Sequence, residues 1–161
     1  MNNELQELFK ELVINDYNIR ILHWKVIGLD FGTKHELMDE YHAKLNECVD
    51  EVGEIILMNG GSIQTLDNLI KDYNGDLLNG DDHYTNQQVL IFANRIFEKL
   101  IDKFQKAIDS DIPGDIKSKL EEDQFWFRKE CKYKLKKSLI LSESKTAIEA
   151  FTDFCNEMSI Q

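Results

Sequence analysis

The sequence has few of the residues that interrupt helices, and few of those that cross-link chains. It contains one proline, Pro113, in 161 residues, so long helices are compatible with most of its length. Its three cysteines, Cys48, Cys131 and Cys155, are an odd number at wide spacing. We expect reduced thiols packed as small apolar groups, because neither a disulfide framework nor a zinc knuckle fits this pattern.

The chain also lacks a long apolar run and a secretory leader. No stretch reaches the roughly 18 apolar residues that a membrane-spanning helix requires. The first residues, MNNELQEL, are polar and acidic, unlike a secretory signal. We therefore expect a cytoplasmic protein with no membrane partner.

The chain has fewer basic than acidic side chains. Thirty acidic side chains against nineteen basic ones give a formal net charge of −11, which repels nucleic acid and attracts cations. One segment, 128–137 (RKECKYKLKK), is basic. It is compatible with DNA contact, but a solvated, dipole-favoured end of a helix is the plainer interpretation, and DNA binding is not expected.

The first half of the chain has the helical period of apolar residues, with steps of three and four. A first helix is predicted from about Leu5 to Val26, before a glycine-containing break. Thr33 followed by Glu36 has the pattern of a capping box and predicts a second helix over 34–58, which the sequence NGG closes.

The second half predicts two more long helices. A polar connector carries a short amphipathic piece at Leu66, Leu69 and Ile70. The third long helix has an apolar side from Val89 to Ile108, and the fourth begins near Asp115. A shorter fifth helix, capped by Ser142 or Ser144, is expected at the end.

These elements indicate an all-α fold, a four-helix bundle with a crossover between its second and third helices. The crossover contains the short helix, and an extra helix follows the bundle. We expect residues 1–141 to form the bundle and residues 142–161 to form a helical extension of the same domain.

Five side chains of the metal-ligating type lie along the first two helices: His23, His35, Asp39, Asp50 and Glu54. His35 and Asp39 are four residues apart and share a helix face, and the last two carboxylates have the same spacing. Fifteen residues of helix separate His35 from Asp50, which is about 22 Å. One ion cannot bridge that distance within one chain.

The spacing is symmetric about position 44.5, the midpoint of 35 and 54 and also of 39 and 50. If two copies of the second helix cross antiparallel near Lys44 and Leu45, each histidine–aspartate pair faces the carboxylate pair of the other chain. This is the isologous contact of a twofold dimer. His23 can fold back over the start of the helix and join the same cluster.

The predicted dimer therefore contains two identical sites, each with two imidazoles and several carboxylates. This set of nitrogen and oxygen ligands suits iron, Mn(II) or Zn(II), and open coordination positions suit an iron ion that must meet an oxidant.

The residues that carry these features resemble a known motif: His23-Trp24, Gly28, Phe31, His35-Glu36, Asp39, Tyr41, Asp50-Glu51, Glu54 and Gly60-Gly61. This run is similar to the core of the Dps family, the ferritin-like DNA-binding proteins from starved cells. Weaker similarity extends to Trp126, where the family often has a tryptophan in its fourth helix.

The resemblance implies a ferroxidase centre between two subunits, with His23, His35 and Asp39 from one chain and Asp50 and Glu54 from its partner. It also implies a homododecameric shell that oxidises Fe(II), preferably with hydrogen peroxide, stores ferric mineral and protects against oxidative damage. Trp24 is either a core residue or an electron donor beside the metal.

Alternatives remain at this stage. A Dps-like structural or assembly protein, with a structural metal or none, would have the same fold, and the chain beyond Trp126 is longer than the resemblance leads us to expect. A rubrerythrin-like di-iron enzyme is disfavoured, because Asp39 with His42 is the only pair of the required type. His42 is an auxiliary ligand or a packed residue, and His83 a surface residue.

Overall fold

The computed structural model describes residues 2–139, and four long helices dominate them. The elements are α1 (Asn3–Lys25), β1 (Val26–Ile27), α2 (Phe31–Met58), α3 (Leu66–Lys71), β2 (Tyr84–Thr85), α4 (Asn86–Asp109) and α5 (Gly114–Lys129), which continues as a π-helical segment, Glu130–Leu135. The all-α bundle with a short helix in its crossover is confirmed. The predicted fifth helix, the extension 142–161 and Cys155 lie outside the described residues.

Helix α1 begins and ends where its local chemistry allows. The side chain of Asn2 accepts hydrogen bonds from the backbone N–H groups of Glu4 (3.0 Å) and Leu5 (3.2 Å), which satisfies two of the donors left free at a helix start. The helix ends at Lys25 because Val26 takes an extended conformation. The predicted span is confirmed to within two residues at each end.

A short parallel pairing of strands joins the two halves of the chain. Val26 pairs with Tyr84 and Ile27 with Thr85, so the end of α1 is hydrogen-bonded to the start of α4. The sequence showed no strand here, because a pair of two-residue strands is too short to carry an alternating pattern.

The start of α2 differs from the prediction. The helix begins at Phe31, and its N-cap residue Asp30 is in the left-handed conformation with no capping hydrogen bond from its side chain. Thr33 and Glu36 lie inside the helix, so the predicted capping box is wrong. The capping box is at α4, where the Thr85 hydroxyl accepts from the Gln88 N–H at 3.2 Å and the Thr85 N–H donates to the Gln88 side chain at 2.9 Å.

Aromatic side chains pack where α2, α4 and α5 meet. The ring of Phe97 lies 4.7 Å from Tyr41, 5.1 Å from Phe127 and 6.0 Å from Trp126, measured between centroids. Such tilted and edge-to-face pairs each contribute about 0.5–1.5 kcal/mol beyond the area they bury. Cys48 and Cys131 are buried free thiols, as expected. Within residues 2–139 no helix is long and apolar enough to cross a membrane.

We predict opposite outcomes for two threonine substitutions. Thr85→Ala removes the capping box of α4 and should lower the free energy of unfolding by about 1 kcal/mol. Thr33→Ala should be neutral or slightly stabilising, because alanine is the better helix former and Thr33 makes no cap. Urea denaturation at one protein concentration measures both, and a larger loss for Thr33→Ala would contradict the observed start of α2.

Candidate metal centre

His23 and His35 hold each other in place at the junction of α1 and α2. Nδ1 of His23 lies 2.8 Å from the backbone oxygen of His35, and Nδ1 of His35 lies 2.8 Å from the backbone oxygen of His23. Their rings stack with centroids 3.7 Å apart at an angle of 24°. The fold-back of His23 onto the start of the second helix is therefore present in the structure.

These hydrogen bonds assign the tautomer of both neutral rings. A backbone carbonyl only accepts, so each Nδ1 carries the proton and donates it. The free lone pair of each imidazole is then on Nε2, the atom that can bind a metal. Fixing the ring through its other nitrogen is how proteins commonly orient a ligating histidine.

A tight turn brings the two histidines together. Gly28 has a φ of 114°, a conformation that favours glycine, and its carbonyl accepts from the N–H of Phe31 at 3.2 Å. The side chain of Asn86 donates to the carbonyl of Leu29, which connects the turn to α4. The ring of Phe31 also stacks on His35, with centroids 5.1 Å apart, so aromatic groups cover both faces of this imidazole.

Asp39 lies one turn beyond His35 and faces a cleft that it shares with His23. The cleft has a volume of about 220 Å³ and is lined by Arg20, His23, Trp24, Asp39 and His42. The structure thus places His23 and Asp39 in one cleft, with His35 stacked on His23. Within residues 2–139, however, the three potential ligand atoms that lie within 4.8 Å of one another belong to a different set, Cys48, Glu51 and Asp123. In the single chain the predicted set does not converge that closely.

Asp50 and Glu54 lie on the same exposed face of α2 as Asp39, but far along it. Eleven residues of helix separate Asp39 from Asp50, which is about 16 Å. The exposed stripe of α2 consists of Asp39, Ala43, Asn46, Asp50, Glu54 and Leu57. The single chain therefore does not bring the second carboxylate pair to the histidines.

The middle of this stripe carries small side chains. Ala43 and Asn46, which are symmetric about position 44.5, are exposed, whereas Leu45 is fully buried in the core of its own chain. Lys44 is directed inward and donates to Asp123 at 2.8 Å. A helix that crosses at this position, near the predicted axis at Lys44 and Leu45, would contact the exposed Ala43 and Asn46.

The side chains of Asp16 and Arg20 extend the cleft and were not predicted. Nδ1 of His42 lies 2.5 Å from Oδ1 of Asp16 and 3.3 Å from Nε of Arg20. It cannot donate to the carboxylate and accept from the guanidinium at once, and the shorter contact assigns its proton to the bond with Asp16. His42 is therefore oriented in the same way as the other two histidines. The spacing of Asp16, Arg20 and His23 on one face of α1 was the signal available in the sequence.

Trp24 is 56% exposed, so within one chain it is not a core residue. Its ring makes an edge contact with Tyr17, with centroids 6.3 Å apart, at the rim of the cleft. The other tryptophan, Trp126, is partly buried and packs against the core residues Tyr41 and Phe97. His83 is exposed, as expected for a surface residue.

The basic segment 128–137 has acidic partners in its own chain. Lys134 lies 2.9 Å from a carboxylate oxygen of Glu130, and Lys132 lies 3.7 Å from Glu98. These contacts fit the interpretation of a solvated helix end.

Comparison with known proteins places this geometry in a family. No family model matches the sequence. The chain is 30% identical over 106 residues to the DNA protection during starvation protein of Listeria monocytogenes, a match that spans 63% of this chain and 68% of the relative. It is 28% identical over 113 residues to the protein of the same name from Streptococcus suis, across 69% of this chain and 66% of that one.

Solved structures agree in fold. Dps from Staphylococcus aureus superposes with a TM-score of 0.75 at 21% identity, over 84% of this chain and 92% of that one. Dps from Mycobacterium smegmatis gives a TM-score of 0.73 at 23% identity, over 81% and 80% of the two chains. The fold is that of the ferritin-like four-helix bundles. Together with the sequence relatives, this shows that the chain belongs to the Dps family.

We predict that a metal ion in this cleft quenches Trp24. In a Trp126→Phe background, where Trp24 is the one remaining tryptophan, Co(II) should quench the emission because Trp24, His23 and Asp39 line the same cleft. Adding Asp39→Asn should shift the Co(II) concentration for half-quenching at least about tenfold upward, since a ligand oxygen is lost. An unchanged titration would place the ion elsewhere.

Proposed function

We propose that this protein is a ferroxidase of the Dps type, which oxidises Fe(II) with hydrogen peroxide or oxygen at sites between two subunits and sequesters the ferric product. The reciprocal hydrogen bonds between His23 and His35 are the main support for the proposal, because they leave the Nε2 atom of each ring free, and His23 lines a cleft with Asp39.

The exposed stripe of α2 supports the completion of each site by a second chain. Its carboxylates at 39, 50 and 54 are solvated in the single chain. An antiparallel partner at Ala43 and Asn46 would bring Asp50 and Glu54 of the partner to the histidines. Carboxylates collected at such a crossing repel one another unless a cation lies between them, so Fe(II) would stabilise the dimer that binds it.

The ligand set suits the chemistry. Neutral imidazoles limit the coordination number, while the carboxylates tolerate the change from Fe(II) to Fe(III). Two Fe(II) ions give two electrons to one hydrogen peroxide, which takes up two protons and forms two waters. The Fe(III) then hydrolyses and moves to acidic surfaces, for which the net charge of −11 provides many sites. Trp24, which lines the same cleft as His23 and Asp39, would donate an electron to a stray oxidising radical.

The larger assembly belongs to the same proposal. A closed homododecameric shell would keep ferric mineral inside and away from the solvent. The native mass of the purified full-length protein, measured with its metal content, tests the shell directly.

A non-catalytic scaffold of the same fold is the alternative. Incubation of the apo-protein with Fe(II) and peroxide, followed by ferric absorbance in the near ultraviolet, separates the two functions. The ferroxidase accelerates oxidation above buffer and retains the iron, whereas a scaffold does neither.

Subunit complementation gives a sharp test of the shared site. We expect His35→Ala and Glu54→Ala to reduce peroxide-dependent oxidation by more than the 10- to 100-fold typical of outer-shell changes, since each removes a ligand. Co-assembly of the two variants at equal amounts should restore about a quarter of the wild-type sites, because each mixed dimer regains one intact site of two.

Each variant assembled alone is the matched control for the mixture. A mixture no more active than its components would show that the ligands come from a single chain, and the shared-site proposal would fail. Circular dichroism of both variants verifies that they remain helical.

A further inference from the structure

A second cluster of ligand-type side chains lies on the inner side of α2. Cys48 and Glu51 of α2 and Asp123 of α5 each place one potential ligand atom within 4.8 Å of the other two. The exposed stripe with Asp39, Asp50 and Glu54 is on the other side of the helix. Four-helix bundles build metal sites in this way, from side chains of facing helices that project inward.

Two carboxylate oxygens in the cluster have no hydrogen-bond partner. Asp123 is 1% exposed; its Oδ1 accepts from Lys44 at 2.8 Å, while its Oδ2 is buried and unpartnered among residues 2–139. The two oxygens of Glu51 differ in the same way. Lys119 lies 3.1 Å from Oε1, whereas Oε2 is buried and has no hydrogen-bond partner among residues 2–139. A buried oxygen of this kind destabilises the fold unless something binds it.

Ionised carboxylates cannot satisfy each other, because both only accept. A proton, a water molecule or a cation must lie between two such oxygens. The thiol of Cys48 is fully buried at the same place and supplies a third potential metal ligand. A proton shared by the two carboxylates would not need this thiol.

We propose that Cys48, Glu51 and Asp123 form a binding site for a divalent cation of the zinc type, inside the bundle of each chain and separate from the inter-subunit site. One sulfur and two oxygens are three of the four ligands of a tetrahedral Zn(II) ion. The fourth position would be taken by water, which can enter beside Glu51, whose side chain is 27% exposed.

The distances suit an ion that draws the ligands inward. Zinc–sulfur bonds of about 2.3 Å and zinc–oxygen bonds of about 2.0–2.2 Å place neighbouring ligand atoms about 3.5 Å apart. Small side-chain rotations therefore close the site. Burial raises the pKa of the free Cys48 thiol to about 12, so the ion must displace the thiol proton when it binds.

Two ammonium groups limit the affinity. Lys44 and Lys119 already balance the charge of the two carboxylates, and both remain beside the ion once it is bound. Removal of one lysine should therefore tighten metal binding, which is the opposite of what the loss of a ligand does. This difference in sign separates a metal site from a network of ion pairs.

Co(II), a spectroscopic substitute for Zn(II), provides the probe. Titration of the full-length apo-protein should produce a thiolate-to-cobalt absorption band in the near ultraviolet. Cys48→Ala should abolish the band, whereas Cys131→Ala, which removes the other described buried thiol, should preserve it. The inter-subunit site contains no cysteine, so the band does not depend on the proposed ferroxidase function and can fail or succeed independently of it.

Two further variants complete the test. Asp123→Asn should weaken Co(II) binding about 10- to 100-fold or more, and Lys119→Gln should strengthen it severalfold. Circular dichroism verifies folding, and Asp123→Asn decides the outcome if Cys48→Ala does not fold. No thiolate band at millimolar Co(II), or a band that survives Cys48→Ala, would overturn the proposal and assign the two oxygens to a shared proton or a bound water.

Discussion

The rigid geometry of α2 sets the distances on which the other features of the candidate site depend. A helix of 28 residues keeps Asp39 and Asp50 about 16 Å apart while it points both to the same side. Its inner face packs Tyr41, Leu45 and Val52 into the bundle, so the helix cannot rotate to hide the acidic stripe. A metal site that used both ends of the stripe would therefore need a second copy, and each chain would then contribute two half-sites.

The junction of α1 and α2 fixes the positions of the histidine rings, which the long helix alone does not do. The reciprocal bonds between Nδ1 and backbone oxygen of His23 and His35 fix two rings at once, and the turn at Gly28 closes the distance between the helices. His42 is oriented by Asp16 on the same side. Each of the three imidazoles thus has its Nδ1 atom in a hydrogen bond, which would lower the ordering cost of binding an ion through Nε2.

Local patterns predicted the elements well and their starts less well. The apolar period located all four long helices, because each has to bury one side against the others. The capping box failed at Thr33 and Glu36, because the Gly28–Asp30 turn had already started the helix at Phe31. It occurs instead at Thr85 and Gln88, where no such turn precedes the helix. A capping motif of two residues contains no information about a turn that precedes it in the chain.

The sequence by itself determined the fold class, the family resemblance and the spacing of the five candidate ligands, because helical periodicity and residue separation are properties of the chain alone. Only the tertiary structure decided that His23 stacks on His35, that Asp16 binds His42, and that Trp24 faces solvent while Trp126 packs against the core. The meeting of Cys48 and Glu51 with Asp123 is of the same kind. Asp123 lies more than seventy residues beyond Cys48 and Glu51 along the chain. Only the packing of α5 against α2, which no local sequence pattern records, brings the three together.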